Sequence, residues 1–173
     1  MPKIGFAPNA KTYGEVIAAK NLRDRALAWL GDFLDKHLRG DGPLFPKDAP
    51  LHQGNCGVVA MCMLLDRPYS EVAPILGRGR SGGWTGSTYI HQYQPCAEEL
   101  GFAVSPSRSY RGTVGKLAAE SGGTGERIFC TIHGHAMVIW DGLIFDQSFP
   151  AGGTPQERPE LASKTVDFIL RRN

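Results

Sequence analysis

The sequence predicts one α+β domain in which a buried central helix packs on a C-terminal antiparallel sheet. Three observations lead there. Stretches with helical spacing come first along the chain, and short β-branched and aromatic stretches come second, which is an α+β order. "CGVVAMCMLLD" (Cys56 to Asp66) is apolar on every face, the mark of a helix enclosed by core. "WDGL" (Trp140 to Leu143) carries the Asp-Gly pair of a tight hairpin, so the strands on either side of it run antiparallel.

The elements follow in order. From Tyr13 to Leu38, Leu27, Leu30, Leu34 and Leu38 form one apolar stripe with Ala26, Trp29 and Phe33 beside it. Arg23, Asp24, Asp32, Asp35 and Lys36 fill the gaps, so this reads as one amphipathic helix or two short ones broken near Gly31. "RGDGPLFPKDAP" (Arg39 to Pro50) is a Gly/Pro-rich connector. After the central helix, "YSEVAPILG" predicts a short helix with Ser70 as N-cap and Gly77 as stop. "GRGRSGGWTGST" (Gly77 to Thr88) is a glycine-rich loop. "TYIHQYQPCAEELG" predicts a helix kinked at Pro95 and ended by Gly101, and "TVGKLAAESGG" another with a glycine exit. "IFCTIHG", "HAMVIWDG", "LIFDQSF" and "TVDFILRR" predict strands. The single domain therefore divides into a helical extension over 1–50, a core over 51–150, and a C-terminal strand and tail over 151–173.

The chain's 173 residues, 42% apolar and 21% charged, suit one globular domain with a sizeable core. Its net charge of +2, without a dense basic block, leaves no electrostatic footprint for nucleic acid. No apolar run reaches the roughly 18 residues that span a bilayer, so no membrane partner is expected. "MPKIGFAPNA" lacks the long apolar segment of a secretory signal. Cys56, Cys62, Cys96 and Cys130 have no compact disulfide-scaffold spacing. Reduced thiols and a cytoplasmic setting are the expectation.

"QGNCGVV" (Gln53 to Val59) carries the chemistry. A helix N-terminus offers unpaired N–H groups and partial positive charge, and a thiol placed there shifts toward thiolate. Cys56 stands where the loop meets the buried helix. Gly54 and Gly57 leave room beside it for a substrate carbonyl, and the Gln53 amide and the Cys56 N–H could together hold an oxyanion. The competing reading is a small core cysteine after a plain turn. Cys62, Cys96 and Cys130 lack the approach loop and read as core.

A nucleophilic thiol needs a base, and the base an orienting group. "HGHAMVIWDGLIFDQ" offers both. His135 opens a strand on the face of Met137 and Ile139; after the Asp-Gly turn the next strand runs back to Asp146. The hairpin brings both to one end of the sheet, where the carboxylate could accept from the imidazole Nδ1–H. His133, two residues earlier and on the same nominal strand face, is the rival base. Cys130, His133, His135 and Cys56 could also be read as a zinc set. Alternation along a regular strand turns Cys130 away from both histidines, and no second C-x-x-C pair is present, so no metal and no cofactor is expected.

On "QGNCGVVAMCML", "WTGSTYIHQYQPCAEELGF", "GHAMVIW" and "LIFDQS", the chain resembles the papain-like cysteine peptidases, and within them the bacteriocin-processing, double-glycine-leader peptidase group. The resemblance covers about Leu51 to Phe149. Gln53 stands three residues before the cysteine, a spacing similar to the "D-G-N-C" loop of ovarian-tumour-type deubiquitinases, which are also papain-like. The resemblance implies a cysteine peptidase or isopeptidase acting on a protein or peptide. Cys56 would be the nucleophile, His135 the base, Asp146 the orienter and Gln53 an oxyanion donor. "GRGRSGGWTGS" would border the groove, with Gly83, Trp84 and Gly134 as substrate contacts. A catalytically silent binding or inhibitory module on the same scaffold, and an acyltransferase using the same thioester, are the other readings.

Overall fold

The computed structural model describes residues 44–50, 54–80, 84 and 86–173. The helix expected over Tyr13 to Leu38, together with Gln53 and Gly83, lies outside the described residues.

α1 (Cys56–Leu65) is the central helix, and every residue from Gly57 to Leu65 in it is buried. Ten residues without one charge leave it no face for water, so core surrounds it. It ends at Asp66, which takes a left-handed conformation with φ of 58°. α2 (Tyr69–Leu76) follows and stops at Gly77. Its N-cap is Pro68, not Ser70. Proline has no side-chain acceptor, so the acceptor comes from elsewhere: the Asp48 carboxylate takes hydrogen bonds from the Tyr69 N–H at 2.7 Å and the Ser70 N–H at 2.8 Å. Asp48→Ala is expected to lower stability by about 1 kcal/mol, and Asp48→Asn, which keeps one acceptor oxygen but faces the second N–H with its own NH2, to recover only part of that, as read from urea denaturation midpoints.

α3 (Ile90–Glu99) runs through Pro95, and Gly101, at φ of 84°, turns the chain after it. β1 (Val104–Ser107) leads to α4 (Val114–Ser121), whose N-cap Thr113 accepts from the Lys116 N–H. Then come β2 (Arg127–Ile132), β3 (His135–Trp140), β4 (Leu143–Asp146), β5 (Phe149–Gly153), the short α5 (Pro159–Ala162) and β6 (Phe168–Arg172). The six strands form one antiparallel sheet in the order β1-β6-β2-β3-β4-β5.

Two tight hairpins set the register of its centre. His133 and Gly134 join β2 to β3, with Ile132 paired to His135. Asp141 and Gly142, at φ of 52° and 84°, join β3 to β4. Positive φ at both positions is the hairpin turn that matches strand twist, and it is why Asp-Gly is found there. Both faces of the sheet are covered. Phe129, Val138, Phe145 and Leu170 join the core around α1, while Ile128, Cys130, Met137 and Ile139 join Val114 and Leu117 of α4. That double burial explains why the strand sequences read as unbroken apolar runs. Among the described residues, no helix is long and apolar enough to cross a membrane.

Candidate functional site

Cys56 is the first residue of α1 and is partly exposed. The residue before it, Asn55, is fully buried, and its Nδ2 donates to the Tyr69 hydroxyl at 3.2 Å. Gly86 presses on it so closely that a Cβ there would lie 2.3 Å from Asn55 Cβ. The glycine-rich loop thus clamps the entry to α1. Gly54 has open space where a Cβ would stand, in keeping with room beside the thiol. Gly57 has another reason to be glycine. A Cβ on it would come 2.0 Å from Thr88 Oγ1 and 2.6 Å from the Tyr93 hydroxyl, two oxygens that hydrogen-bond each other at 2.7 Å. It stands against this polar pair and also lines the groove beside Cys56.

The β3–β4 register, with Val138 opposite Phe145, brings the end of β4 alongside the start of β3. His135 Nε2 and Asp146 Oδ2 are 3.1 Å apart. The ring nitrogen on the carboxylate is therefore Nε2, not the Nδ1 expected from sequence. Nδ1 is the ring nitrogen left for the Cys56 thiol, whose interaction with the imidazole helps to raise it. Asp146 is only 2% exposed, and both its oxygens are occupied. Oδ1 accepts from the Ser148 N–H at 2.8 Å and the Phe149 N–H at 2.7 Å, and Oδ2 accepts from His135 and from Arg158 Nη2, each at 3.1 Å.

The electrostatics follow from these contacts. Burial works to raise the Cys56 thiol. The His135 hydrogen bond, the Ala136 N–H, the imidazolium charge and the Gly57 N–H outweigh it and bring the thiol below its ordinary value. Hydrogen bonds to Asp146 first and Cys56 second push His135 up to about 9, against desolvation. Burial also works to raise the Asp146 carboxyl, but His135 and Arg158 hold it below the usual carboxylate range. A thiol drawn down beside an imidazole drawn up favours thiolate and imidazolium, the forms that attack an electrophile and deliver a proton.

The pair opens on a groove of about 520 Å³, lined by Cys56, His135, Gly54, Gly134, Tyr89 and Arg108 among others. His133 also lines it, but from the exposed turn between β2 and β3 rather than from a strand face. Asp146 bonds His135. Trp84 is not among the lining residues. Its Nε1 donates to the Ser87 carbonyl at 2.8 Å and its ring packs on Gly77, so the indole braces the loop from within. Cys130 is fully buried among Ile128, Met137 and Ile169. Among the described residues, no cluster of three or more His, Cys, Asp or Glu is arranged to hold a metal ion.

Nothing in the sequence marks Arg158. "PQERPE" looks like a polar tail, and nothing local ties it to an aspartate 12 positions earlier. Compared with known proteins, the chain matches no family model, no curated protein and no solved structure.

Proposed function

We propose that the protein is a papain-like thiol hydrolase that cleaves a peptide or isopeptide bond through an acyl-enzyme. The observation that carries this reading is the chain of contacts from Cys56 at the start of α1, through His135, to the buried carboxylate of Asp146, open to a groove.

The Cys56 thiolate attacks the substrate carbonyl carbon, and the carbonyl oxygen takes the negative charge. The Cys56 N–H lies in the first turn of α1 and has no partner within the helix, so it can donate to that oxyanion. Gln53 is proposed as the second donor. As the tetrahedral adduct collapses, the C–N bond breaks and imidazolium His135 gives its proton to the leaving amine. A thioester and a neutral imidazole remain. His135 then takes a proton from water, the hydroxide equivalent adds to the thioester, and collapse expels the Cys56 thiolate and releases the acid. His135 ends protonated, as it began. Asp146 accepts from Nε2 throughout, which leaves Nδ1 to serve the thiol and the leaving group.

The test is to offer the purified protein a panel of extended peptides and ubiquitin-like isopeptide conjugates, and to measure product and intact protein mass together. The expected result is cleavage with a transient thioester adduct on Cys56. Cleavage that persists after Cys56 is fully alkylated would remove the reading. A thiol inert to alkylating probes in the folded protein would favour a silent binding module. Transfer of the acyl group to an added amine in preference to water would make the protein an acyltransferase.

A further inference from the structure

Asp146 Oδ2 is shared by two cations, and only one of them can lose its charge. We propose that Arg158 is a positioning residue for the His135–Asp146 pair: a permanent cation that holds part of the carboxylate's charge and so limits how tightly Asp146 retains the imidazolium. This rests on the thiol-hydrolase reading, because it concerns how readily His135 releases a proton.

Arg158 is built into its place. Its side chain is 13% exposed, its guanidinium lies 4.9 Å over the Phe149 ring, and its Nε donates to Glu160 Oε1 at 2.6 Å. Nη1 is buried without a hydrogen-bond partner, so the ring beneath is part of what compensates the charge. Gly153 makes the space: a Cβ there would lie 3.0 Å from the Phe149 ring and 3.1 Å from Arg158 Cγ. A largely covered guanidinium held by two carboxylates and a ring is restrained, so its charge acts at a nearly fixed distance. Because Nη2 and Nε2 are each 3.1 Å from the same oxygen, they stand no more than about 6 Å apart.

The two cations act on each other through that oxygen. Imidazolium His135 is stabilised by Asp146 and destabilised by Arg158. When His135 is neutral, Asp146 still has a cation, so a buried carboxylate is never left alone with its charge. The groups that bear on the imidazole are Cys56 from α1, Asp146 from β4, Arg158, and behind it Glu160 from α5. Tyr89, His91 and Tyr93, together with Arg108, His133 of the turn and Asp167, line the same groove.

The experiment follows the His135 imidazole by NMR titration in a Cys56→Ala background, where thiol coupling is gone. Arg158→Met keeps a stem on Phe149 and removes the charge. His135 is expected to titrate about one unit higher, the scale of one charge at this distance. Arg158→Lys is expected to restore most of the original value. Glu160→Gln, at an exposed position that threatens no core, frees Arg158 from its second carboxylate, and His135 is expected to titrate lower by about 0.3 unit. An unchanged or lower value in Arg158→Met, or an unchanged or higher value in Glu160→Gln, would overturn the proposal. If Arg158→Met does not fold, Glu160→Gln and Arg158→Lys still decide it. Failure of the hydrolase reading is separate, since it appears as an inert Cys56 in the protein with its thiol intact.

Discussion

Cys56→Ala is expected to abolish turnover, by about 10⁴-fold or more, with the fold retained. Removing the nucleophile from a unit that acts together costs most of its rate enhancement at once. Alanine is the best helix former, and at the partly exposed first position of α1 it removes little packing. The variant should also carry a signature in stability. In the wild type, folding draws the Cys56 thiol down and the His135 imidazole up. The first shift releases protons on folding and the second takes them up, so between the ordinary values of the two groups they offset each other in the slope of stability against pH. With alanine at 56, His135 still gains the Asp146 hydrogen bond, and the folded state binds the extra proton. A raised histidine contributes stability that is full below 6.5 and is lost as pH rises through its folded value. Urea denaturation from pH 6 to 9 should therefore show the variant losing stability relative to wild type as pH rises. Full activity of the variant on a validated substrate would remove Cys56 from the site.

What was legible in the sequence was what local pattern encodes. An apolar run with no charge admits one placement, at the centre of the core, and α1 is there. Asp-Gly at 141 and 142 specifies the one turn type that needs positive φ twice, and that turn aligns the end of β4 with the start of β3. Together these two features bring Cys56, His135 and Asp146 into reach of one another.

What was not legible depends on partners far away in the chain. β6 inserts between β1 and β2, a pairing that no window of sequence can display. β1 is "VSPS" and β5 is "FPAGG", compositions that disfavour strands and are held in the sheet by their neighbours. The Asp48 cap of α2 spans 21 positions. Gly134 signals a turn, but only the pairing of Ile132 with His135 shows that His133 belongs to that turn rather than to a strand face. Trp84 stood in a glycine-rich loop and read as a contact for substrate, yet a large ring beside Gly77 fills the space that glycine leaves. Which imidazole nitrogen meets Asp146 is decided by ring orientation, and no residue type records that.

His135→Ala is expected to remove the reactivity of Cys56 at low pH, whereas His133→Ala should leave it near the wild-type rate. The two residues stand two positions apart, both line the groove, and only His135 bonds the buried carboxylate. In the wild type the imidazolium persists up to about 9, so the thiolate has its counter-charge throughout the acid and neutral range. Without the imidazole, both of the lowering contributions from His135 are lost, while burial still raises the thiol and the Ala136 and Gly57 N–H groups still lower it. Alkylation by iodoacetamide at pH 6 should then fall by about tenfold or more in His135→Ala. The gap should close as pH rises toward 9, because hydroxide then does what the imidazole did. The slope against pH is the discriminating quantity: shallower in the wild type and His133→Ala, where the imidazole draws the thiol down, and steeper in His135→Ala, approaching about tenfold per unit. A flat profile in His135→Ala together with a steep one in His133→Ala would move the base to the turn, and Asp146 and Arg158 would then be structural partners of a bystander.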